Sequence, residues 1–223
     1  MSKQFAVIGL GRVGASLART LREMGHEVLA MDRNEDLVQE LSAEMPGVEL
    51  VSADASESGI LAGFGLEDFD GAAVVIGEDI QASVLITLIL KELGVPLVLA
   101  RAGSPLHARV LEKVGADHVV EPEREFGELL AHRMSSPAIQ EYLEIGGGQA
   151  VARVAVPGEW VGHSLSELGL PGRRGLLVLA IQQPDGSWRL PDPGEKLRSS
   201  DTLMLGGPRR ELDRLEIPAS REG

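Results

Sequence analysis

Phe5-Ala6-Val7-Ile8-Gly9-Leu10-Gly11-Arg12-Val13-Gly14 is the stretch that decides the fold. Its first four residues are apolar and read as a buried strand, and the glycines that follow are spaced G-x-G-x-x-G. That string carries weight only where it leaves a strand and opens a helix. Here the strand precedes it, and residues 12–24 behind it carry apolar side chains at helical spacing. In this setting Gly9 permits the tight turn, Gly11 lets backbone approach a pyrophosphate, and Gly14 lets helix and strand pack closely. The helix start offers free N–H groups and a partial positive charge, so Leu10, Arg12 and Val13 fall within the same phosphate-binding turn.

Outward from this turn the pattern repeats. Apolar runs at 5–8, 27–31, 48–51, 72–76, 97–100 and 118–120 alternate with helical patterns at 12–24, 35–43, 81–93 and 105–114. Strands alternating with helices imply right-handed crossovers and a parallel sheet. The runs are continuously apolar, as a sheet covered on both faces requires. The fold class expected for residues 1–134 is therefore α/β, a Rossmann-like doubly wound parallel sheet of six strands.

Asp32 ends the second run, 18 residues after Gly14. A carboxylate there accepts hydrogen bonds from a ribose 2′-hydroxyl and repels a 2′-phosphate, so the expected ligand is NAD, ADP or ATP. Arg33 follows directly and softens the argument against NADP. Asp54-Ala55-Ser56 follows the third run and Gly77-Glu78-Asp79 the fourth, both at the carboxyl edge of the sheet where ligands of open α/β sheets bind. Asp54 and Ala55 border an adenine ring in one reading; in the other, Asp54 caps the next helix.

The second half has a different texture. A helix at 125–133, a break at Ser135-Ser136-Pro137, a second helical piece at 138–143 and Gly146-Gly147-Gly148 read as a crossover helix and a flexible glycine hinge over 135–148. Residues 149–217 read as a small α+β domain. Its strands are expected at 151–156, 175–183 and 202–205, with a helical piece at 164–168 and a last helix at 208–217. Pro184-Asp185-Gly186-Ser187 signals a hairpin, and 218–223 reads as a tail.

Composition excludes several functions. The chain of 223 residues has no cysteine, which removes disulfides, thiolate nucleophiles and cysteine-rich zinc sites and makes a cytoplasmic location the default. It carries 21 basic and 34 acidic side chains, a net charge of −13, of which −11 falls in residues 1–133. Such a surface repels phosphate backbones and anionic lipid, so no nucleic-acid partner is expected. No N-terminal signal segment is evident, and the longest apolar run, 84–90, falls far short of the roughly 18 residues of a membrane span. Catalytic machinery is not legible either: five histidines form no recognisable constellation, the single tyrosine is Tyr142, and neither G-x-x-x-x-G-K-[ST] nor G-x-S-x-G occurs. The expectation is a nucleotide-binding protein that is not an enzyme.

Five segments, FAVIGLGRVG (5–14), MGHEVLAMD (24–32), IQAS (80–83), KEL (91–93) and VLEKVGAD (110–117), closely resemble the RCK (regulator of K⁺ conductance) family. The resemblance runs over nearly the whole chain, an RCK N-domain to about 134 and an RCK C-domain to about 217. It implies a cytoplasmic gating subunit of a Ktr/Trk-type potassium uptake system. Such subunits form homodimers, usually gathered into an octameric ring, beneath a separate integral-membrane channel or transporter subunit of the KtrB/TrkH kind. ATP or ADP, or NAD(H) in Trk-type members, binds the N-domain and biases the ring between shapes.

By the same resemblance Gly9, Gly11 and Gly14 take the phosphate-loop role and Asp32 the ribose role. Arg12 matches an arginine that reaches the terminal phosphate of a nucleotide in the neighbouring subunit, and Arg101 a basic position facing phosphates. Glu123 matches an acid that holds Mg²⁺, Ca²⁺ or Na⁺ at the subunit interface. Some members bind cyclic di-AMP in the C-domain; here GLPGRRG (169–175), with Arg173 and Arg174, departs from that pattern at Pro171 and Gly172.

Overall fold

The structure is a computed structural model that describes residues 2–57, 59–135, 138–170 and 175–215. The expected break at Pro137, the residues Pro171, Gly172, Arg173 and Arg174, and the tail 218–223 lie outside those residues. The chain divides into two compact units, 1–123 and 124–223.

In the first unit, strands β1 (Gln4–Ile8), β2 (Glu27–Asp32), β3 (Glu49–Ser52), β4 (Gly71–Val74), β5 (Val98–Arg101) and β6 (His118–Val120) form one sheet in the order β3-β2-β1-β4-β5-β6. Every pair is parallel. Helices α1 (Arg12–Glu23), α2 (Glu35–Glu44), α3 (Ile60–Gly63), α4 (Ile80–Glu92) and α5 (Pro105–Val114) alternate with the strands. Period-two geometry splits each strand between two cores. Ala6, Ile8, Leu29 and Met31 pack with Ile86, Leu90 and Leu111, while Val7, Val28 and Ala30 pack with Ala18, Val38 and Leu41. Helix starts are fixed by side chains: Asn34 accepts from the Leu37 N–H, Asp79 from Ala82 and Ser104 from His107.

The sheet order reverses between β1 and β4, so the turns after β1, β2 and β4 and the end of β5 converge at one carboxyl edge. Asp117 ties that sheet to its cover, accepting from Lys91 Nζ at 2.8 Å and from the Val98 N–H at 2.7 Å.

Helix α6 (Pro122–Ser135) leads into the second unit. There β7 (Ile139–Gly146), β8 (Gln149–Ala155), β9 (Leu177–Gln182), β10 (Trp188–Arg189) and β11 (Thr202–Pro208) form a sheet in the order β10-β9-β11-β8-β7, followed by α7 (Arg209–Leu212). All its pairs are antiparallel, around a core that includes Ile139, Val154, Leu176, Ile181, Leu203 and Leu205.

Four expectations need correction. Residues 138–143 are not helical: they belong largely to β7, paired along β8. Gly146-Gly147-Gly148 is not a loose joint, because Gly146 pairs with Gln149 and leaves Gly147-Gly148 as a two-residue turn. Both have positive φ, 62° and 73°, the geometry of the type I′ turn that right-twisted hairpins demand. Residues 164–168 form turns rather than a helix, and α7 is one turn of four residues instead of spanning 208–217.

Candidate functional site

A cleft of about 420 Å³ opens at the carboxyl edge of the parallel sheet. Its walls include Gly9, Gly11, Arg12, Val13, Asp32, Arg33, Asp54, Ala55, Gly77, Glu78, Arg101 and Glu123. Two expected residues do not line it. Leu10 is buried in the core on the α1 side, and Gly14 lies within α1 against β1.

The glycines have separate jobs. Gly9 has φ +96° and turns the chain; a Cβ there would sit 2.8 Å from the Val75 carbonyl oxygen. Gly14 permits contact with that turn, since a Cβ would run into the Gly9 carbonyl. Gly11 is the N-cap of α1, with φ −60°, and nothing lies within 4 Å of where its Cβ would be. Protein packing does not require glycine at position 11, and the open backbone there leaves room for a phosphate group to approach.

Asp32 is held before any ligand arrives. Its Oδ2 accepts from the Leu10 N–H at 2.7 Å and its Oδ1 from the Asn34 N–H at 2.9 Å. Each oxygen keeps a lone pair for a hydroxyl. Asp54 does not cap a helix: its Oδ1 accepts from the Ser56 hydroxyl at 2.6 Å and the Ser56 N–H at 2.9 Å. These bonds hold its carboxyl below the usual range. Between the charged ends, Met31, Leu37, Ala53, Ile76, Ala82 and Ile86 supply an apolar floor suited to a flat base.

At the other end Arg101 passes beside Gly77, where an added Cβ would come 2.8 Å from Nη1. Its Nη2 donates to Glu123 Oε1, and its Nε is buried without a hydrogen-bond partner among the described residues. The Glu123 carboxyl is held below its ordinary value by its own backbone N–H first and by Arg101 next, with Arg12 adding attraction. Glu123 therefore already answers a guanidinium, and the described residues contain no cluster of three or more His, Cys, Asp or Glu placed for a metal. One paired carboxylate does not fit a cation site within a single chain.

Missed from the sequence were the apolar floor and the part played by Asp79. Asp79 Oδ2 accepts from Arg33 Nη1 at 3.1 Å, joining the loops after β2 and β4. The signal for Asp79 was an N-cap residue directly before the apolar run at 80–90. Outside the cleft, the second unit stacks His132 on Tyr142 with ring centres 3.8 Å apart, and His132 Nδ1 lies 3.0 Å from Asp213 Oδ1.

A glycine turn, an anchored strand-end carboxylate and three arginines around one cleft define a dinucleotide-binding-type domain, here joined to an antiparallel C-terminal unit. Residues 5–122 match the TrkA-N domain and 150–216 the TrkA-C domain. The chain is 38% identical over 216 residues to Ktr system potassium uptake protein C of Bacillus subtilis, covering 97% of both. It is 37% identical over 210 residues to Ktr system potassium uptake protein A of Vibrio alginolyticus, covering 94% of both. Among solved structures, the GsuK channel bound to NAD superposes with a TM-score of 0.70 at 21% identity, over 99% of this chain and 41% of that one. The chain belongs to the TrkA-N/TrkA-C (RCK) family of Ktr and Trk potassium uptake proteins.

Proposed function

We propose that the protein is a nucleotide-sensing regulatory subunit of a Ktr/Trk-type potassium uptake system and performs no chemistry on its ligand. The observation that carries this reading is the pairing of an unobstructed Gly11 with a prefixed Asp32 in one cleft. The first accommodates phosphates and the second a ribose diol. Structures of proteins with the same fold are described as GsuK bound to NAD, GsuK bound to ADP and a Kef C-terminal domain in AMP-bound form, which supports an adenine nucleotide here. No described helix is long and apolar enough to cross a membrane, in keeping with a pore carried by another chain at whose cytoplasmic side this one acts.

In this reading the working unit is a homodimer, assembled into a ring. Arg12 starts α1 at the cleft wall and reads the terminal phosphate of ATP against ADP, changing a contact between subunits. A ligand shifts a conformational equilibrium only through such a difference. Thermal melting with ATP, ADP and NADH tests this, because a ligand that prefers the native state raises the midpoint. ATP and ADP should protect by different amounts, and Arg12→Ala should shrink that difference more than it weakens ADP binding. Protection by NADH alone would favour a Trk-type NAD(H) sensor; steady hydride transfer lost on Asp32→Ala would make the chain an oxidoreductase instead.

A further inference from the structure

We propose that Asp79 is a specificity-determining positioning residue: by holding Arg33 it makes the cleft reject a 2′-phosphorylated ribose. The inference rests on the nucleotide-binding reading above. Among the described residues lining the cleft, the cations are Arg12, Arg33 and Arg101. Arg101 is engaged by Glu123, whose carboxyl also feels Arg12, so both belong to the phosphate end. Arg33 alone sits beside Asp32, where a guanidinium would receive a 2′-phosphate. Its Nη1 instead donates to Asp79 Oδ2 at 3.1 Å.

Asp79 is fixed for this task. Its other oxygen, Oδ1, caps α4 by accepting from the Ala82 N–H at 3.0 Å, so the carboxylate is anchored to a helix and not carried on a free loop. Strand β1 lies between β2 and β4, so the pair links the loops on either side of the glycine turn. A 2′-phosphate would have to draw Arg33 off Asp79 and then lie among Asp32, Asp79 and Glu78. An unphosphorylated ribose needs only Asp32 and leaves the pair intact.

Two ligand pairs that differ only by the 2′-phosphate test this by calorimetric titration of the full chain: NAD⁺ with NADP⁺, and AMP with adenosine 2′,5′-bisphosphate. The wild type should favour the unphosphorylated member. Asp79→Asn keeps the capping oxygen and drops the charge, and it should narrow that preference about threefold, the scale of one exposed ion pair. Adding Arg33→Ala to Asp79→Asn should restore the preference. An unchanged ratio in Asp79→Asn overturns the proposal. So does a narrowed ratio that persists in the double variant, since loss of repulsion alone would then explain it. A wild type that prefers the phosphorylated members overturns it as well. If the wild type binds none of the four ligands and neither ATP nor ADP, the nucleotide-sensing reading fails and this inference with it; binding of ATP or ADP without any of the four, or binding of the four with a flat ratio, strikes the inference alone.

Discussion

A Cβ on residue 14 would collide with the carbonyl oxygen of Gly9, whereas a Cβ on residue 11 would meet nothing within 4 Å. Two glycines of one motif thus serve different masters, the fold and the ligand. Gly14→Ala should lower stability by about 3 kcal/mol or more, because backbone must move. Gly11→Ala should stay within about 1 kcal/mol of wild type, since φ −60° suits alanine. That second variant should nevertheless lose nucleotide affinity. Urea midpoints beside ligand titrations separate the two, and equal destabilisation by both changes would refute the division.

Asp32 should matter without any ligand. Removing its carboxylate orphans the Leu10 N–H, which is partly buried, and the Asn34 N–H. Asp32→Ala should therefore cost about 1–3 kcal/mol in the ligand-free protein. An apo protein unaffected by the change would confine Asp32 to ligand contact.

His107 gives the first unit an acid sensitivity. It is buried, its Nδ1 accepts from the Gly103 N–H at 3.3 Å, and its Nε2 has no partner among the described residues. Burial lowers its pKa, so the folded protein resists a proton that the unfolded chain takes up below about pH 6.5. Its contribution to stability is complete above that pH and is lost progressively as pH falls toward the depressed folded value. Denaturation curves of wild type and His107→Leu, measured across this range, should differ in slope, the variant being flatter.

Tyr142 carries a buried hydroxyl with no hydrogen-bond partner among the described residues. Burial, with Asp213 and Glu144 adding repulsion, pushes its pKa up to about 12, so it remains neutral. Tyr142→Phe keeps the ring on His132 and removes the unsatisfied group, and should raise stability by about 1 kcal/mol. A fall in melting temperature would show that the hydroxyl is bonded.

Where signals were local, the sequence was readable. The glycine turn, Asp32 and the six parallel strands each announce themselves within a few residues. Strand β7 does not: Ile139, Tyr142 and Leu143 stand at i, i+3 and i+4, which imitates a helix face. Pairing with β8 overrules that local pattern. The glycine run was equally ambiguous, because a type I′ turn and a loose linker use the same residue. In the cleft, Arg101 and Glu123 are 22 residues apart and Arg33 and Asp79 are 46 apart. Those pairings depend on which strands become neighbours, and no short window of sequence carries that information.

Strand β7 has one more consequence. It lies at the edge of its sheet, eight residues long, with no described strand along its outer side. Leu143 and Ile145 are 65% and 60% exposed on it. Such a rim is a template on which another strand can register. What guards it is a row of charged side chains, Glu141 paired with Arg153 at 3.2 Å and Glu144 paired with Arg209. Acid breaks these pairs by protonating the glutamates and salt screens them, so the access of a further strand to this rim depends on two glutamates.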